Sequence, residues 1–73
     1  APGRVWSPPA FVQVSEIRRR MNLSQRAFAE RYGFSAAAVR DWEQGRRTPE
    51  KAARTLLMLI DREPEAVERV LGA

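Results

Sequence analysis

SQRAFAERYGFSAAAVRDWEQGRRTP, residues 24 to 49, decides how this chain folds. Ser24 and Ser35 each precede a stretch with helical apolar spacing. There a serine oxygen accepts a hydrogen bond from an N-terminal amide that has no partner within the helix. They predict two helix starts. Phe28, Ala29 and Tyr32 fall on one face of the first helix, and Val39 and Trp42 share a face of the second at a three-residue step. Both faces therefore serve one core, and the same spacing makes Trp42 a core residue before it is a stacking one. Gly33 stands between the helices, where a sharp turn calls for a left-handed backbone that costs a residue with a Cβ about 1 kcal/mol or more. Ala29 is small where two helices crossing at roughly 90 to 120° come closest, so the stretch specifies an angle as well as a turn.

Outward from this stretch the pattern stays helical. Gly45 ends the second helix, Arg46 and Arg47 form a basic loop, and Thr48-Pro49 predicts a restart, with threonine as N-cap and proline pre-organised at the first helical position. The next helix is expected over residues 49 to 61, with Ala52, Ala53, Leu56, Leu57, Leu59 and Ile60 making it the core helix. Pro64 opens a last short helix, PEAVERVLG, with Glu65 near its positive end. Its narrow stripe of Val67, Val70 and Leu71 either packs inward or pairs with a second copy. On the N-terminal side, Val14, Ile17 and Met21 predict a helix over 14 to 21, with Asn22 as a left-handed terminator. At least two of Arg18, Arg19 and Arg20 read as a solvated face balanced by Glu16. Residues 1 to 12 read as an extended arm with three prolines and a glycine, and residues 13 to 73 as the folded domain. Trp6 is expected to fold back onto the domain or onto a partner.

Composition narrows the chemistry. A chain of 73 residues bounds one small domain, and the absence of cysteine and histidine excludes disulfides, zinc sites of the usual nitrogen and sulfur type, and nucleophiles built on either residue. No cofactor or metal site is expected. No apolar run approaches the ~20 residues of a membrane span and no signal-peptide pattern appears, so a cytoplasmic location is the expectation. The formal charge is +4, from 13 basic and 9 acidic residues, and 12 of the 13 are arginine. Arginine's planar donor fork fits phosphate oxygens and guanine edges, so this bias suits contact with nucleic acid. A codon bias toward alanine and arginine gives the same composition, and composition alone decides little.

Gln25, Phe28-Ala29, Gly33, Phe34-Ser35, Val39, Trp42-Glu43, Gly45, Arg47 and Pro49 together resemble the pattern of the Cro and phage-repressor (XRE) helix-turn-helix family. VRDWEQGRRTP and the alanine- and leucine-rich helix after it resemble in particular the HigA-type antitoxins of bacterial toxin-antitoxin modules. The resemblance covers roughly residues 14 to 71. Such proteins more often carry leucine at the place of Phe28 and a smaller aliphatic at that of Phe34, so a bulkier core is expected here. The resemblance implies an all-α, five-helix, lambda-repressor-like DNA-binding domain.

A helix-turn-helix places the N-terminal half of its second helix in the major groove, which turns Ser35, Ala36, Ala37, Arg40 and Asp41 toward base edges. Arg40 is the leading candidate for a bidentate guanine contact, with a phosphate contact or an intrahelical pair with Glu43 as alternatives. Asp41 either accepts from a cytosine amine or repels wrong sites. Ala36, Ala37 and Ala38 carry no hydrogen-bonding side chains, so direct readout is expected to be sparse and shape readout relatively important. From the resemblance, Gln25 is expected to contact phosphate together with a helix N-terminus, and Arg46 and Arg47 to follow the DNA backbone.

Useful specific affinity usually comes from two half-sites about one helical turn apart, so a homodimer on an inverted-repeat operator in double-stranded DNA is expected, with the last helix and the Trp6 arm as candidate dimer surfaces. The resulting reading is a sequence-specific repressor, an antitoxin or its DNA-binding portion acting on its own operon, with a cognate toxin as possible partner. The alternative is a module that binds a toxin or a transcription component without reading DNA. An enzyme is not expected, because nothing in the pattern sets Asp41, Glu43 or Asp61 beside a nucleophile or a metal.

Overall fold

A computed structural model describes residues 13 to 72, which form five helices: α1 (Val14–Arg20), α2 (Gln25–Tyr32), α3 (Ala36–Gln44), α4 (Lys51–Arg62) and α5 (Pro64–Leu71). The expected all-α, five-helix architecture is present. The arm with Trp6 lies outside the described residues.

Local chemistry sets most boundaries. Ser24 Oγ accepts from the Ala27 amide and Ser35 Oγ from the Ala38 amide, both at 3.0 Å, so each serine is the N-cap expected of it. Gly33 closes α2 at φ 78° and Gly45 closes α3 at φ 77°, both left-handed. An added Cβ at either would meet open space, so the backbone angle alone is what requires glycine there. Asn22, at φ 57°, is the one non-glycine with positive φ among the described residues and ends α1 as predicted, although that helix stops at Arg20.

The start of α4 differs from expectation. Its N-cap is Glu50, whose carbonyl accepts from the Arg54 amide at 2.9 Å, and Thr48 and Pro49 stand outside the helix. The Pro49 carbonyl, which a helix begun at Thr48 would give to a backbone amide, instead accepts from Arg54 Nη1 at 2.7 Å, and the first helical residue is Lys51. At the far end α4 runs to Arg62, and Pro64 at the first position of α5 stops it from continuing.

The core joins every helix. Val14 and Ile17 of α1, Phe28, Ala29 and Tyr32 of α2, Val39 of α3, Leu57 and Ile60 of α4 and Val67 of α5 are buried in one cluster. Met21, Leu23, Phe34, Trp42 and Leu56 pack against it. Two expectations for α4 fail, since Ala52 is exposed and Leu59 is 49% exposed. Of the α5 stripe only Val67 turns inward, while Val70 and Leu71 are 78% and 52% exposed. Ion pairs between helices, Arg20 with Asp61 and Arg31 with Glu68, lie at the surface and contribute little individually.

Candidate nucleic-acid interface

The candidate surface is built on α3, which is buried on its Val39 side and open on the other. Ser35, Ala36, Ala37 and Arg40 are exposed, Asp41 is half-buried, and Arg46 and Arg47 of the following loop are exposed. Helical spacing sets Ala36, Ala37, Arg40 and Asp41 on one side of α3, so the residues expected to face base edges share a surface. Arg40 and Arg46 have no ion-pair partner among the described residues. The intrahelical Arg40–Glu43 pair, one of the alternatives for Arg40, is absent because Glu43 is taken by other groups.

Those groups come from two other helices. Arg18 of α1 grips Glu43 with two hydrogen bonds, Nε to Oε2 at 2.7 Å and Nη2 to Oε1 at 2.9 Å, and its Nη1 donates to the Leu23 carbonyl at 3.0 Å. Gln25, the first residue of α2, donates from Nε2 to Glu43 Oε1 at 3.0 Å. One carboxylate thus ties α1, α2 and α3 together at the edge of the candidate surface. The Arg18 and Glu43 side chains are only 15% and 8% exposed. Chiefly because Arg18 hydrogen-bonds its ionised form, the Glu43 carboxyl is held below its ordinary value, with burial opposing and Gln25 adding to the shift. Glu43 in turn raises the pKa of Arg18.

Arg18 therefore does not belong to a solvated face with Glu16, and the sequence carried a signal for it. Val14, Ile17, Arg18 and Met21 occupy the i, i+3, i+4, i+7 positions of one helical face, and Val39, Trp42 and Glu43 occupy i, i+3, i+4 of another. A cation and an anion on two apolar faces point to each other. The network also bears on Gln25: one N–H of its amide donates to Glu43 and the other remains free to donate, so the side-chain orientation at the start of α2 is set from α3.

Trp42 packs on Phe34 edge to face with ring centroids 5.1 Å apart, as a core residue should. Asp41 is paired with Arg47, Glu43 with Arg18, and Asp61 with Arg20, so each carboxylate weighed above as a catalytic group has an arginine partner. No cluster of three or more potential metal ligands occurs among the described residues, and no helix among them is long and apolar enough to cross a membrane.

Comparison with known proteins agrees with this geometry. Residues 5 to 71 match the family described as the antitoxin component of the bacterial toxin-antitoxin system, MqsA. Antitoxin HigA-2 of Vibrio cholerae is 36% identical over 58 residues, which cover 80% of this chain and 56% of that protein, so the chain spans about half the length of this relative. A crystal structure of a helix-turn-helix XRE-family-like protein from Agrobacterium tumefaciens superposes with a TM-score of 0.76 at 39% identity, covering 81% of this chain and 95% of the other. With the serine-capped helices, the left-handed Gly33 turn and this match over most of its length, the chain belongs to the MqsA-type antitoxin family, in its XRE-like helix-turn-helix form.

Proposed function

We propose that this chain is a sequence-specific DNA-binding repressor, the DNA-reading portion of an antitoxin that acts in the cytoplasm on its own toxin-antitoxin operon. The carrying observation is the two-sidedness of α3: its inner edge is locked by the Arg18–Glu43–Gln25 network, while its outer face presents Arg40 beside bare alanines. A helix held this rigidly, with a backbone that can approach closely, suits insertion into a major groove. Ser35, Ala36, Ala37, Arg40 and Asp41 are assigned to the groove side. Gln25, Arg46 and Arg47 are assigned to phosphates.

The test is fluorescence anisotropy with the operon's own upstream duplex and a scrambled duplex across a salt series. Salt-dependent binding that prefers the upstream duplex is expected. Arg40→Ala should lower that preference by about 1 to 3 kcal/mol, since a bidentate guanine contact discriminates by roughly that amount. Equal binding to both duplexes, or none, sinks the repressor assignment and favours a module that binds only the toxin.

The protein acts as a homodimer on an inverted repeat. This part of the proposal is supported by the apolar surface that Leu59 of α4 and Val70 and Leu71 of α5 leave uncovered, joined by the edges of Leu56 and Ala66. A contiguous apolar patch on so small a domain marks an interaction site. Val70→Asp should shift the protein to monomer in sedimentation experiments and weaken operator binding at least tenfold, about 1.4 kcal/mol or more, because each half-site then binds alone. An unchanged sedimentation coefficient would move the dimer contact elsewhere.

A further inference from the structure

We propose that Asp41 is a positioning residue: it holds Arg47 in place for a DNA phosphate, and neither reads a base nor serves mainly to repel. The assignment rests on the DNA-binding reading above and goes beyond it by giving the one acidic group on the recognition face a task.

Three observations carry it. Asp41 Oδ2 lies 3.3 Å from Arg47 Nε, with the Asp41 side chain 23% exposed and that of Arg47 60% exposed. The Asp41 carbonyl also accepts from the backbone amides of Arg46 and Arg47, at 2.9 and 3.4 Å, after Gly45 turns the chain at φ 77°. One residue therefore anchors both the main chain and the side chain of the basic loop. Lastly, nothing on α3 itself competes for the carboxylate: the residues three and four positions away are Ala37, Ala38, Gln44 and Gly45, none of them charged.

The chemistry follows from the shape of guanidinium. Its five N–H donors lie in one plane, so an ion pair at the Nε edge leaves the far side of the fork open. Beyond this ion pair the Arg47 side chain has no other polar partner among the described residues, and its Nη groups remain for a phosphate. A long side chain that is already held loses less rotamer freedom on contact than a free one. The carboxylate gains as well, because an unpaired Asp41 next to the phosphate backbone would repel it. With Ala36, Ala37 and Ala38 offering no donors, the loop arginines carry a larger share of the contact than they would beside a polar recognition helix.

Pairing and repulsion predict opposite signs, which makes the assignment testable. Operator affinity would be measured by anisotropy across a salt series for wild type, Asp41→Ala, Asp41→Asn, Arg47→Ala and the Asp41→Ala/Arg47→Ala double variant, with thermal unfolding of each followed by circular dichroism. Asp41→Ala should weaken binding about threefold to tenfold, and Asp41→Asn, which keeps an acceptor oxygen, by less. Arg47→Ala should remove about one unit of salt slope. In the Arg47→Ala background, Asp41→Ala should instead strengthen binding about threefold, because the carboxylate is then unpaired. A merely structural role cannot produce that reversal. Tighter binding on removing Asp41 in both backgrounds, no change in either, or a loss confined to duplexes with one particular cytosine would overturn the assignment while leaving the DNA-binding reading intact. Wild type without salt-dependent affinity would overturn both.

Discussion

Phe28→Ala is expected to cost about 4 kcal/mol of folding stability, the largest loss from any single truncation in this domain. Phe28 is fully buried and sits at the centre of an aromatic chain: its ring meets Tyr32 edge to face at 5.1 Å and stacks with Phe34 at 6.2 Å, and Phe34 in turn meets Trp42 at 5.1 Å. That chain runs from α2 through the turn to α3, so Phe28 anchors a line of rings that joins the two helices of the motif. Truncation removes the transfer energy of the ring and leaves a cavity that the surrounding core cannot close without moving. A single core of this size rarely supplies more than about 3 to 5 kcal/mol, so the variant should sit near its unfolding midpoint in water. Phe28→Leu should cost only roughly 1 to 2 kcal/mol, because leucine refills much of the space. Urea titrations followed by circular dichroism would separate the two, and a loss below about 2 kcal/mol for alanine would mean that Phe34 and Tyr32 collapse into the gap.

The parts of this fold that were legible in the sequence are those set by local chemistry. Ser24 and Ser35 cap, Gly33, Gly45 and Asn22 take left-handed angles, and Pro64 opens α5, because each of these depends on the residue and its near neighbours. Thr48 does not cap: the Pro49 carbonyl goes to Arg54 instead, a contact that forms only when the turn has folded. Leu59, Val70 and Leu71 show the other limit. Periodicity says which side of a helix is apolar, and it is silent on whether the same chain supplies enough surface to cover that side. At the candidate site the exposed positions on α3 followed from helix geometry alone. The partner of Asp41 did not, since it lies across a turn, and that of Glu43, 25 residues away on a different helix, was marked only by the charge each apolar face carries.

Glu43→Ala is expected to cost about 3 kcal/mol and to weaken DNA binding beyond what the loss of folded protein explains. The first effect follows from what is left behind. Arg18, with its side chain only 15% exposed, would keep one hydrogen bond to the Leu23 carbonyl and lose both to the carboxylate, and an unpaired charge in a partly buried site costs several times what the intact pair contributes. Arg18→Met in the same background should recover part of the loss, as an apolar chain of similar length fills the place of the cation. The acid limb tests the same pair. Because the folded pKa of Glu43 lies below its ordinary 4.5, its share of stability is complete above pH 4.5 and is lost as the pH falls through the lowered folded value. Glu43→Gln should therefore flatten stability against pH in that acid window, with little change in slope near neutrality. The binding effect has a separate origin. Gln25 loses the acceptor that orients it, so at a protein concentration and temperature where the variant is still folded, operator affinity should fall a further threefold or so, and Gln25→Ala should add little to it. If the two losses instead add in full, Gln25 meets the phosphate without help from Glu43, and the network holds the helices together without aiming the contact.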